Sequence, residues 1–339
     1  MNKYILIIVI GLLVSFSSCN DTKKPTTKSK TSVPPKKEVV KQLPQITPPN
    51  FNADTAYYYI EQQVNFGPRV PNSDAHKKCA LYLENELKKL GWETLVQKGE
   101  VKAYNGKKLS IKNIMGRYDI NNPNRILLFA HWDSRPYADR GNTQKAKPID
   151  GANDGASGVA VLLEIARQMA GHDKQPRIGV DVLFFDAEDY GQPQEAMQSY
   201  QNNTWCLGSQ YWAQNIPIKA YRPKYGILLD MVGGANAVFP KEGHSLYFAP
   251  QVVEKVWNTA KKLGYDNYFV QNREHRGITD DHLYVNSMAK IPSIDIIHYR
   301  TDVGDFGTFH HTHDDNMSII DKNTLAAVGN TVLHVIYSE

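Results

Sequence analysis

Two adjacent acids, Glu188 and Asp189, end a run of mostly large apolar residues, Val182 to Ala187, in the stretch VDVLFFDAED that opens at Val180. So short and apolar a run reads as a strand buried on both faces, the kind found inside a mainly parallel sheet. Groups that do chemistry in such sheets sit just past the carboxyl ends of the strands. Neighbouring carboxylates there repel one another and are partly stripped of water, and both effects penalise ionisation. A metal ion relieves one acid and leaves the other free as a base. The competing reading is a surface loop that opens on two acids, and on this stretch alone the two are evenly balanced.

Other stretches tip the balance. Ile126–Ala130 is a second apolar run and leads at once into His131 and Asp133. Tyr225–Met231 is a third and carries Asp230 near its end; Ile291–Ile297 is a fourth and opens a loop holding His298, His310, His311, His313, Asp314 and Asp315. Asp154 lies between a glycine-rich turn, GANDGASG, and a helix, while Asp280-Asp281-His282 starts a short helical stretch. Parallel strands side by side bring their carboxyl ends to one edge, so these groups can converge. Histidine and carboxylate donors without cysteine suit zinc. A catalytic zinc takes three protein ligands and keeps one position open; Asp154, Asp189 and His311 supply the three, and Glu188 is left to carry protons. Each residue also has a structural reading. Asp154 can cap the helix that follows, His131 can be a core histidine held by Asp133, and Asp230 can bond a loop amide. For His298, His310 and His313 a place in a loop is the stronger reading.

The elements that must position these groups follow from periodicity. Residues 54–64 and 74–90 read as helices, the second with Ala75, Ala80, Leu81, Leu83, Leu87 and Leu90 at helical spacing and Gly91 as its stop. Residues 93–117 alternate like strands. Val159–Met169, 251–264 and 322–337 read as helices, the first two amphipathic, and 190–204 as a long polar loop. Strands alternating with helices, without internal repeats, give one α/β domain over 51–339 with a mostly parallel central sheet.

Composition bounds the rest. The chain has 339 residues, 41% hydrophobic and 22% charged, with a net charge of +4. The excess lies in a Lys-rich run over 20–41 whose acids are Asp21 and Glu38, so the remainder is slightly acidic and nucleic acid is not an expected partner. Residues 1–19 have a lysine near the start, an apolar run from Tyr4 to Phe16, and small residues before Cys19. These are the proportions of a leader peptide, and the end resembles a bacterial lipoprotein processing site. The expectation is export to the bacterial envelope and a membrane tether through a lipidated Cys19. Residues 20–50, rich in Lys, Thr and Pro, read as a disordered extended spacer. The three cysteines (Cys19, Cys79, Cys206) are too few for a disulfide scaffold, and Cys79 and Cys206 read as buried free thiols. A monomer is expected.

Taken together, FAHWDS (129–134), DGANDGASG (150–158), FFDAED (184–189), LLDMVG (228–233) and HTHDDN (311–316) resemble, in that order, the motifs of the zinc aminopeptidase family. Within that family, GSQYWA (208–213), LLDMVGGANAVFP (228–240), TDDHLY (279–284) and the lead-in Phe306–His310 are similar to the animal-type glutaminyl-peptide cyclotransferases. The resemblance covers about residues 51–338. It implies a three-layer α/β sandwich around a mixed sheet. It also implies conversion of N-terminal Gln of peptides and proteins to pyroglutamate, with release of ammonia. One zinc per chain is implied, on Asp154, Asp189 and His311, with Glu188 as the acid/base and Asp230 and Asp280 sharing hydrogen bonds with it. The chain departs from the animal pattern in having Asp189 for a Glu, His310 for a Trp beside the metal histidine, and no pocket Trp early in the 190–204 loop. The alternative within the family is a two-zinc aminopeptidase, in which His131 and Asp230 bind a second ion and Asp154 bridges both. A third possibility is an inactive surface-binding lipoprotein, which the intact set of converging acids disfavours.

Overall fold

Asn52 and Ser73 each accept the backbone N–H of the residue three positions on, and each starts a helix: α1 (Ala53–Val64) and α2 (Asp74–Lys89). The computed structural model describes residues 46–193, 201–274 and 276–339. The leader with Cys19 and the tether up to residue 45 lie outside them. Gly91, at φ +77°, turns the chain out of α2. Cys79, Ala80, Leu83 and Leu87 face inward, but Leu81 is 57% exposed and is not part of the buried stripe.

The alternating stretch after α2 is a hairpin of two strands, β1 (Glu93–Lys102) and β2 (Lys108–Tyr118), paired antiparallel from Glu93–Arg117 to Lys102–Lys108. Next come β3 (Arg125–His131), α3 (Ala156–Gly171), β4 (Gly179–Phe185), α4 (Leu207–Gln214) and β5 (Gly226–Asp230). A short strand, β6 (Phe239–Lys241), precedes α5 (Gly243–Phe248) and α6 (Pro250–Lys262). It pairs with β7 (Phe269–Glu274) in a separate two-stranded sheet. The chain closes with α7 (Asp281–Ser287), β8 (Ser293–Ile297) and α8 (Lys322–Tyr337).

The main sheet has the order β1-β2-β4-β3-β5-β8. Its β4-β3-β5-β8 half is parallel throughout, and the β1–β2 hairpin joins antiparallel, so the sheet is mixed and mostly parallel as expected. Strands β3, β4, β5 and β8 are buried at every position, because helices cover both faces. Alternate residues divide between two cores. Ile126, Leu128 and Ala130 pack with α1, α3 and α8 side chains, while Leu127 and Phe129 pack with Trp212 of α4 and Val285 of α7. This is a three-layer arrangement. Helix α3 departs from the amphipathic expectation: every residue from Ala156 to Ala166 is buried. It is sandwiched between α1, α8 and the sheet. It sits so close to β5 that a Cβ on Gly158 would lie 2.1 Å from the Leu229 carbonyl oxygen. Cys79 and Cys206 are buried and free.

Candidate active site

The four parallel strands are neighbours, so their carboxyl ends share one rim, and each delivers polar residues to it. β3 ends on His131 with Asp133 just beyond, β4 leads to Glu188 and Asp189, β5 ends on Asp230, and β8 leads into the histidine loop. At this rim Ala187, Met231 and His311 take positive φ (51°, 49° and 55°), which turns the chain sharply where side chains must be aimed. Asp133 fixes the turn after β4: its two oxygens accept the N–H groups of Glu188 (3.0 Å) and Asp189 (3.2 Å). Asp315 does the same for the glycine-rich turn, accepting from Asn153 (2.7 Å) and Asp154 (3.1 Å). Asp154 itself caps nothing: the N-cap of α3 is Gly155, and no side chain caps the helix. The Asp154–Gly155 peptide bond is cis.

Three of the expected donors come together. His311 Nε2 lies 3.2 Å from Asp189 Oδ1 and 3.8 Å from Asp154 Oδ2. All three side chains are buried. Burial, followed by the charge of Arg135, lowers the His311 pKa to about 3, so its ring is neutral and offers a lone pair. Asp189 Oδ2 is buried with no hydrogen-bond partner. A buried carboxylate oxygen left unpaired beside a neutral imidazole and a second acid is the donor set a divalent cation fits. His310, expected as a loop residue, also belongs here. Its Nε2 is 3.9 Å from Asp154 Oδ2, and its Nδ1 accepts from Arg140 at 2.7 Å.

Beside this set lies a group of acids. His131 Nε2 sits between Asp154 Oδ1 (3.0 Å) and Asp230 Oδ1 (3.2 Å), with Nδ1 3.5 Å from Asp133. Burial alone would lower the His131 pKa, but the carboxylates of Asp133, Asp154 and Asp230 outweigh it and hold the ring charged. Glu188, Asp280 and Cys206 each bring an atom within 4.8 Å of the others, and the Cys206 thiol donates to Glu188 Oε1 at 3.2 Å. Burial, reinforced by the charges of Asp280, Asp189 and Asp281, holds Glu188 well above the ordinary carboxylate range. Burial raises Asp230 to about 7 despite its bond to His131. Asp280 caps α7 and is raised by burial as well. The expected acid/base residue therefore sits among acids whose pKa values burial raises.

Asp154, Glu188, Trp205, Asp230, Asp280 and His311 line one cavity of about 610 Å³. Trp205 is the residue the sequence reading missed. It follows the 190–204 loop, stacks on His311 with ring centroids 5.6 Å apart and planes 6° from parallel, and forms a wall. A lone Trp in polar sequence just before α4 was the signal for it. The middle of that loop, 194–200, lies outside the described residues. His313 and His298 stand apart from the rim donors. His313 is exposed, and His298 is buried against a separate cavity with both ring nitrogens unpaired.

Comparison with known proteins agrees with this architecture. The chain matches the family model for peptidase family M28 over residues 113–336. The crystal structure of Tannerella forsythia glutaminyl cyclase superposes with a TM-score of 0.83 at 52% identity, covering 86% of this chain and 100% of that one. A Zn-dependent exopeptidase from Parabacteroides distasonis gives the same TM-score, identity and coverage. Among characterised sequences, aminopeptidase YwaD of Bacillus subtilis is 27% identical over 74% of this chain, which spans only 50% of that protein. Glutaminyl-peptide cyclotransferase of Drosophila melanogaster is 25% identical over 76% of this chain and 73% of its own length. A family match that extends over more than half of its residues, on a rim built as described, means that the chain belongs to peptidase family M28.

Proposed function

We propose that this protein is a zinc-dependent glutaminyl-peptide cyclotransferase, converting N-terminal Gln of peptides and proteins to pyroglutamate with release of ammonia. The observation that carries this reading is the 52% identity to a glutaminyl cyclase along the whole length of that enzyme. Asp154, Asp189 and His311 would hold the zinc, one ion per chain. Bound there, zinc supplies Lewis-acid polarisation of the substrate's side-chain amide.

The chain's own groups do the rest. The cavity, with Trp205 as one wall, holds the N-terminal Gln so that its free α-amine faces the side-chain amide carbon. Ring closure is then intramolecular, and positioning supplies much of the acceleration. Glu188 Oε accepts a proton from the attacking amine and returns it to the departing nitrogen, which leaves as ammonia. One C–N bond forms and one breaks, and no water is consumed. The charge of Asp280, beside Glu188, raises the Glu188 proton affinity for both transfers, and Asp230, itself raised to about 7, sits in the same group of acids. The Cys206 thiol fixes one Glu188 oxygen.

A second reading has its own support: His131, Asp154 and Asp230 each bring a donor atom within 4.8 Å of the others, and all are buried, so a two-zinc aminopeptidase has its ligands in place. Mass spectrometry of a Gln-initiated peptide after incubation separates the two. Loss of one ammonia with the peptide otherwise intact, from protein carrying one zinc, is the expected result. Release of the first residue, with two zincs per chain, overturns it. For the leader and tether, the composition of residues 1–50 supports an exported lipoprotein held at the bacterial envelope through Cys19.

A further inference from the structure

Arg135 lies in the polar, irregular stretch after β3, yet its side chain has no solvent exposure. Its guanidinium is used on every side. Nε and Nη2 each donate at 2.6 Å to the two oxygens of Asp139. Nη1 donates to the Asp189 carbonyl at 3.0 Å and to Asp189 Oδ1 at 3.4 Å. The guanidinium carbon sits 4.5 Å from the Trp205 ring centroid, and that ring stacks on His311. Asp139 Oδ1 completes the circuit, 3.5 Å from His311 Nδ1.

We propose that Asp139, locked by Arg135, is the positioning carboxylate of the metal site. It sets the tautomer and orientation of His311, while the same guanidinium fixes Asp189. The inference rests on the reading of His311 and Asp189 as zinc ligands. A neutral imidazole carries one N–H, and an anion beside Nδ1 favours the proton there, which leaves the Nε2 lone pair free. Nε2 is the atom that faces Asp189 and Asp154. A free Asp side chain could rotate away, but a two-pronged bond to a buried guanidinium removes that freedom. A plain structural ion pair would end with Arg135 and Asp139. Here Arg135 also bonds Asp189, and Asp139 lies against His311 Nδ1.

The test uses the full chain in its zinc form, with zinc affinity measured by competition against a chromophoric chelator. Asp139→Asn keeps the size and removes the charge; Arg135→Lys keeps the charge and removes the two-pronged bond. Both should bind zinc roughly 10–100-fold more weakly than wild type. With cobalt in place of zinc, the ligand-field absorption of Asp139→Asn should shift, because the imidazole is no longer held in one orientation; a purely structural pair would leave the spectrum unchanged. Wild-type zinc affinity in both variants, while His311→Ala loses zinc, overturns the positioning role and leaves the ligand reading intact. Zinc retained by His311→Ala removes both. Should Asp139→Asn fail to fold, Arg135→Lys alone decides by the same two measurements.

Discussion

Replacing Glu188 with Gln separates chemistry from stability, because the two should move in opposite directions. Gln keeps the shape of Glu and an oxygen to accept the Cys206 thiol hydrogen bond. It cannot carry a proton between the attacking amine and the leaving nitrogen. A positioned acid/base contributes roughly 10²–10⁴-fold, and at about 1.4 kcal/mol per decade its loss raises the barrier by about 3–5 kcal/mol. Stability follows from where Glu188 sits. Burial and the charges of Asp280, Asp189 and Asp281 hold its folded-state pKa well above the ordinary 4.5. As pH rises past 4.5 the unfolded chain ionises this carboxyl first, so the folded state binds the extra proton and loses stability until its own pKa is passed. Gln removes that penalty. The metal-free variant should therefore match metal-free wild type at acid pH and become the more stable of the two as pH rises to neutral. Ammonia release from a Gln-initiated dipeptide gives kcat, and urea melts of the metal-free proteins at several pH values give stability. A variant that keeps more than about a tenth of wild-type kcat refutes the proton-carrier role. A variant less stable than wild type at neutral pH refutes the electrostatic account.

Two further perturbations probe the cavity wall and the frame. Trp205→Ala removes an aromatic wall of the cavity; at about 0.5–1.5 kcal/mol for an aromatic contact with the bound substrate, KM for a Gln-initiated peptide should rise roughly two- to tenfold. An unchanged KM in steady-state kinetics removes Trp205 from the substrate wall. Arg125→Ala removes two hydrogen bonds to the buried Asp181 (2.9 and 2.5 Å) and leaves it with the Tyr221 hydroxyl (2.7 Å) and a more distant Arg117 Nε (3.5 Å). The cost should be about 3–5 kcal/mol, read as a fall in the urea midpoint with little change in slope, and a loss under about 1 kcal/mol contradicts it.

What the sequence made legible follows from one physical regularity. Strands covered on both faces must be apolar throughout, so Ile126–Ala130, Val182–Phe185 and Ile227–Leu229 stand out, and the polar residues that end them are already placed at one rim once the sheet is parallel. Asp154, Glu188, Asp189, Asp230 and His311 were found that way or through the family motifs. The rest depended on contacts between segments that periodicity does not encode. Leu81 fits a helical stripe by spacing, yet its side of α2 faces water. Helix α3 looks amphipathic by composition but is enclosed on every side. Arg135 and Asp139 fall in a stretch with no periodicity at all, and only the fold shows that they reach two of the donors. The choice of His311 among neighbouring histidines came from the motif; the fold places His310 beside it at nearly the same distance from Asp154 (3.9 against 3.8 Å), with all three donor atoms within 4.8 Å of one another.

The acids at this rim pose a problem that the rest of the fold must answer. Asp154, Asp189, Glu188, Asp230, Asp280 and Asp281 are all buried, and Asp295 lies behind them with neither oxygen hydrogen-bonded. Protonation meets part of the cost, since burial raises the pKa of most of them. His131 meets another part, charged between Asp154 and Asp230. Hydrogen bonds reach neither the second oxygen of Asp189 nor the oxygens of Asp281 and Asp295 among the described residues. A cation at the proposed Asp154–Asp189–His311 set would answer that demand at Asp189, and it would do so only in the folded chain, where the three segments meet. Metal binding and folding are then one equilibrium. The enclosed helix α3 and the fully buried strands supply the rigidity that holds these acids together against their mutual repulsion until the ion arrives.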